Sequence, residues 1–191
     1  MKITINGSGT VSGVSVGGLP DGIVDTDMIA AGAVTAPKRG AGAILQVAQV
    51  KKSDIWYENN VAEGGYSAVV TGLTQAFQCS SASNKVLITG QIFPHNAVAG
   101  GWSVGVGLTV DGYFIDDSIG SARGSRSKVH ALSDTYYFGA SIPINYLYSA
   151  NSTSSITYGI KLWNGHTSAQ NLSLNYPSSQ DGDNNNGVTT V

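Results

Sequence analysis

The sequence predicts an all-β protein: a two-sheet antiparallel β-sandwich or a barrel, preceded by an extended N-terminal segment with one short helix. Three observations predict it. Trp102, Val104, Val106, Leu108 and Val110 alternate without a break with Ser103, Gly105, Gly107 and Thr109, the period of two that a half-buried strand requires. Asp111-Gly112 follows at once, a strong hairpin signal, and Tyr113 to Ile115 start the return strand. Short alternating runs then recur, with no helical pattern after residue 43.

Composition agrees with extended structure. Of 191 residues, 41% are apolar and 12% charged, with 25 glycines; ordinary soluble domains carry about 25% charged residues and about 7% glycine. Such a surface suits contact with other subunits. A net charge of −2 argues against a general binder of nucleic acid or anionic membrane. Cys79 is the only cysteine, which leaves no internal disulfide and no cysteine-based metal site. The N-terminus has no continuous apolar run of the export type, and nothing approaches the length of a membrane-spanning helix. Synthesis in the cytoplasm without a signal peptide is therefore expected.

Residues 1–42 are read as a separate segment. Ile3 and Ile5 sit in a possible short strand, and Val11, Val14 and Val16 are scattered among glycines and serines. So few apolar side chains cannot offset the ordering entropy of the segment alone. Leu19 to Gly22 read as a turn. Asp25 to Ala31 read as a short helix, with Asp25 as cap, Met28 and Ile29 on its thin apolar stripe, and Pro37 preventing continuation. A domain of residues 43–191 follows.

In that domain, Ile44 to Val50 read as a strand and residues 51–65 as a polar connection carrying Trp56 and Tyr57. Tyr66–Thr71 and Leu73–Cys79 read as strands broken at Gly72, and Ser80–Asn84 as a loop. Lys85–Phe93 read as a strand with Val86, Ile88 and Ile92 on one face. Pro94–Asn96 read as a turn, and Asp116–Asp134 as a long polar loop. The run from Tyr136 to Tyr148 alternates cleanly, with Pro143 off its apolar face, which suggests an edge or a bulge. Ile156–Leu162 and Leu172–Tyr176 follow as strands around an Asn164-Gly165 turn. Val188–Val191 return as a last strand.

Candidate sites are few. Gly13-Val-Ser-Val-Gly17 matches the nucleophile-elbow pattern, but that elbow needs a following helix, and Gly18-Leu-Pro20 follows instead. Asp181, Asp183 and Asn185 have the alternating spacing of a calcium loop but lack its distal glutamate, so a hydrated loop is expected. Asp116 and Asp117, neighbours in sequence, cannot converge across a sugar cleft. His95, His130 and His166 lie apart, with no metal-ligand spacing, and read as surface residues. Arg123, Arg126 and Lys128 make one loop basic and suit an acidic partner subunit or an anionic glycan. Trp56, Tyr57 and Trp163 suit either packing or stacking on sugar rings. Ser103, Gly105, Gly107 and Thr109 form a small-residue strand face that would permit close subunit approach. No catalytic residue, metal site or cofactor is expected.

Several blocks carry a family resemblance. Val24-Asp-Thr-Asp-Met-Ile-Ala-Ala-Gly-Ala-Val-Thr-Ala-Pro-Lys38 resembles the linker and stalk segments of tailed-bacteriophage fibre and virion structural proteins. Ala43-Ile-Leu-Gln-Val-Ala-Gln49, Val70-Thr-Gly-Leu-Thr-Gln-Ala-Phe77, Ser80-Ser-Ala-Ser-Asn-Lys-Val-Leu-Ile88 and Ser155-Ile-Thr-Tyr158 are similar to the head domain that follows such stalks. The resemblance implies a jelly-roll-like β-sandwich that forms homotrimers on the virion surface and contacts capsid or tail proteins. The chain is short for a tail fibre, which favours a head fibre, a capsid decoration or a small tail fibre. Ile3, Ile5, Val11, Val14, Val16, Met28 and Ile29 would then serve particle attachment and oligomerisation. The alternative is a module that binds a host receptor or host-surface glycan through Trp56, Tyr57, Arg123, Arg126, Lys128 and Trp163.

Overall fold

The structure, a computed structural model, describes residues 4–5, 11–12, 29–35, 38, 40, 42–96, 103–121, 129–134, 141–176 and 189–190. In chain order the strands are β1 (Thr4–Ile5), β2 (Val11–Ser12), β3 (Lys51–Lys52), β4 (Trp56–Val61), β5 (Gln75–Gln78), β6 (Lys85–Ile92) and β7 (Pro94–Asn96). They continue with β8 (Ser103–Val110), β9 (Tyr113–Phe114), β10 (Ala131–Asp134), β11 (Ile142–Ser149), β12 (Ser155–Asn164), β13 (Gln170–Leu174) and β14 (Thr189–Thr190). The fold is all-β, antiparallel and sandwich-like, as expected.

The chain divides into two compact units, Met1–Val47 and Ala48–Val191. In the first, β1 pairs with β2, and Ile5 lies opposite Val11. The expected helix at Asp25–Ala31 does not extend over its described end. The chain there bends at Ile29 and turns at Ala31 and Gly32, with the Ala33 amide donating to the Ala30 carbonyl at 2.9 Å and Gly32 at φ 79°. A left-handed glycine is a helix stop. Ile29 is exposed, while Ile3, Val14, Val16 and Met28 lie outside the described residues.

In the second unit one sheet has the order β10-β8-β12-β5, with β9 folded back on β8. A second has the order β11-β6-β14-β3, and a third β4-β13-β7. The long run of the sequence forms β8, paired to β12 with Val106 opposite Leu162 and Leu108 opposite Ile160. These four, with Val104, meet Ile88, Ile92, Ile142 and Ile144 of the second sheet and Leu172 and Leu174 of the third in one core. Trp102 lies outside the described residues. The Asp111-Gly112 hairpin has positive φ at both residues, 49° and 83°, as a type I′ turn demands. Pro143 lies on β11, an edge strand of its sheet, where a missing N–H is tolerated.

Four expectations fail for one reason: a strand needs a partner as well as a pattern. Ile44–Val50 is not a strand; Ile44 and Val47 are exposed and pairing starts only at Lys51. The expected polar connection contains β4, which lacks alternation but pairs with β13 along the sheet edge. Pro94–Asn96 is a short edge strand on β13 rather than a turn. The expected loop at 116–134 returns as β10, antiparallel to β8. Residues 66–71 are also irregular: only Tyr66 bridges, to Trp163, although Ser67 and Val70 donate to the Leu162 and Ile160 carbonyls at 2.8 and 2.9 Å. That segment thus continues the flank of β12 beyond β5.

Candidate functional site

The small-residue face of β8, expected as a subunit contact, is filled from within the chain. Gly105, Gly107 and Thr109 are buried, and Ser103 is half-buried. A Cβ at Gly105 would stand 2.5 Å from Val129 Cγ1 and 3.1 Å from Trp163 Cε3, and one at Gly107 would stand 2.5 Å from Phe114 Cε1. On β12, Gly159 faces Val69 and Thr74 in the same way. Tyr66 packs on Phe114 with ring centroids 4.5 Å apart, and Lys161 Nζ lies 5.2 Å from the Phe114 centroid, a cation–π contact. Small residues here make room for the chain's own aromatic cover, so the β8–β12 pair is buried on both faces.

That cover also accounts for Trp163. Its ring lies over Gly105, its Nε1 donates to the Gly64 carbonyl at 3.0 Å, and it is half-buried. Trp56 is half-buried and packs on the core. Of the three expected stacking residues only Tyr57 is exposed. Arg123, Arg126 and Lys128, the calcium-like loop at 181–187 and Gly13–Gly17 lie outside the described residues.

Tyr57 belongs to an aromatic cluster that sequence reasoning did not assemble. On the third sheet Ser173 lies between Tyr57 of β4 and His95 of β7, opposite both. Past β13, Asn175 adopts φ 55° and its buried Nδ2 donates to the Lys52 and Asp54 carbonyls at 2.8 and 3.1 Å. The next residue, Tyr176, sits beside both rings, with centroids 6.3 Å from Tyr57 and 5.7 Å from His95. Tyr57 and Tyr176 are exposed on this cluster, and His95 is 8% exposed. His95 is therefore buried, not a surface residue as expected, because β7 places it in the sheet.

His95 Nδ1 has no hydrogen-bond partner among the described residues, and burial pulls the ring's pKa below the ordinary imidazole value. The unfolded chain therefore takes up a proton here at higher pH than the folded one. Stability is full above the unfolded value of about 6.5 and declines as pH falls below it. The urea midpoint should drop between pH 7.5 and 5, and His95→Gln should flatten that drop; an equal drop in the variant would exclude His95 as its source.

The remaining titratable groups among the described residues do not gather into one site. Among the described residues no three His, Cys, Asp or Glu side chains gather as a metal site would require. Asp111 Oδ1 accepts from the Thr157 amide at 2.8 Å, a structural role. Asp116 and Asp117 are exposed on a short 3-10 turn, Asp116–Ser118. Cys79 is buried, and burial above all, with Cys79, Tyr148 and Asp111 adding, pushes the Tyr158 phenol up to about 12.

An open surface of the second unit is the outward face of β6 and β11. Its side chains alternate with the core residues: Lys85, Leu87, Thr89 and Gln91 on one strand, Pro143, Asn145 and Leu147 on the other, all exposed. Leu87 stands directly opposite Leu147, at 61% and 58% exposure. One charge, on Lys85, is present on the face, and its Nζ donates to Ser149 Oγ at 2.6 Å. The sequence matches no protein-family model and no curated protein.

Proposed function

We propose that the chain is a non-enzymatic structural component of a tailed-phage particle, a self-associating surface appendage. Residues 1–42 would attach it and the β-sandwich would project outward. The resemblance of its blocks to phage fibre and virion proteins points to the particle and implies three copies. The observation that carries self-association is the outward face of β6 and β11, with Lys85 its one charge and its exposed Leu87–Leu147 pair. Solvent-facing sheet surfaces are ordinarily polar, and an exposed apolar patch bordered by polar residues is a feature of contact surfaces. Light scattering on the purified full chain is expected to give a multiple of 19.7 kDa; a single-chain mass at every concentration would refute the reading.

A second reading, a host-glycan module, is favoured by the exposed rings of Tyr57 and Tyr176, since tyrosine faces stack on sugar rings. A glycan array should then show binding that Tyr57→Ala reduces at least tenfold; no binding on the array removes this reading and leaves the first untouched.

A further inference from the structure

Among the described residues strand β11 is hydrogen-bonded to one strand, β6, and is the edge of its sheet, with β10 lying beside it. It is eight residues long, Ile-Pro-Ile-Asn-Tyr-Leu-Tyr-Ser, without a charged side chain. Its register with β6 runs through all eight residues without a shift. Exposed edges of this length are normally kept from pairing with other chains by charges, bulges or prolines. Here the one such device is Pro143, near the start of the strand.

We propose that β11 pairs antiparallel with β11 of a second copy of this chain, about a two-fold axis at Leu147, so that two four-stranded sheets become one. The proposal rests on the reading of the chain as a self-associating component and names its joint. Antiparallel residues that stand opposite each other share a face of the sheet. A two-fold centred on Leu147 sets Asn145 against Ser149 of the second copy and Tyr146 against Tyr148. It also aligns Leu87, Leu147 and their two counterparts in one row across the joint. Pro143, which has no N–H to donate, then falls beyond the paired stretch. Centring on Tyr146 or Asn145 would bring Pro143 into the ladder and move the two Leu147 side chains out of opposition. The strand is neutral, so self-pairing brings no like charges together, as an isologous contact requires. The joint unites two copies, whereas the resemblance implies three, and the mass separates them.

The test uses the full chain. Light scattering should give twice 19.7 kDa, and Leu147→Lys, at an exposed position, should shift it to the single-chain mass with an unchanged far-UV circular dichroism spectrum. Under air oxidation, Leu147→Cys should yield at least ten times more disulfide-linked dimer than Leu87→Cys. The Leu87 pair stands three strand spacings apart, about 14 Å at about 4.8 Å each, and the native Cys79 is buried. A three-chain mass, a dimer indifferent to Leu147→Lys, or equal cross-linking of the two cysteine variants overturns this joint while self-association stands. A single-chain mass at every concentration overturns both.

Discussion

Replacing Asn164 with alanine is expected to cost about 4 kcal/mol of folding free energy, near the top of the range for single substitutions. Asn164 ends β12 fully buried. Its Nδ2 donates to the carbonyls of Val61, Ala62 and Ser168 at 2.9, 3.1 and 2.9 Å, and its Oδ1 accepts from the His166 amide at 2.9 Å. One side chain therefore holds the end of β4, the following turn and the loop into β13. Alanine leaves those backbone groups without their partner, at about 1–3 kcal/mol for each that stays dry. Urea denaturation of the variant should show the loss directly; a loss below about 1 kcal/mol would mean that water replaces the amide. Asn164→Asp keeps the shape but turns oxygen toward three carbonyls. Its carboxyl pKa would be raised, so its deficit should be large at neutral pH and shrink as acid protonates it.

Gly107→Val is the second large effect expected, about 3 kcal/mol, at the upper end of the cost of overpacking. The new side chain would enter the space of the Phe114 ring, which cannot retreat freely because Tyr66 packs on it. Phe114→Ala vacates that space, so the double variant should be less destabilised than the sum of the singles, a coupling measurable by a double-mutant cycle. If the glycine face instead served another subunit, Gly107→Val would leave the monomer's stability unchanged and lower only its association. The two outcomes are read from one denaturation curve and one light-scattering run.

These sites show where sequence reasoning carries and where it stops. Side-chain alternation made β8, β11 and β12 legible, because strands that bury apolar side chains on one face must write that face into the chain. Asp111-Gly112 was legible because few residues adopt positive φ at low cost. β4, β7 and β10 were not, since backbone pairing holds them and a backbone hydrogen bond leaves no mark on side-chain pattern. Ile44 and Val47 show the converse, a strand pattern without a partner. The meaning of Gly105 and Gly107 was hidden for a further reason. A small residue signals close approach without saying of what, and Val129, Trp163 and Phe114 come from three different parts of the chain. The Tyr57–Tyr176–His95 cluster was out of reach because it depends on the register of three strands and on the left-handed turn at Asn175.

The double covering of β8 and β12 has a consequence for how the protein would behave in heavy water. Amide hydrogens escape either through local fraying or only when the whole unit opens. Within a single chain β11 is paired on one side only and its outward residues meet solvent, so in an unassociated copy its amides should exchange by fraying. Val106–Thr109 and Ile160–Leu162 have a strand or a bonded segment on each flank and side chains above and below. Their deuteration should be the last in the chain, and its rate would serve as an internal gauge of the free energy of complete opening.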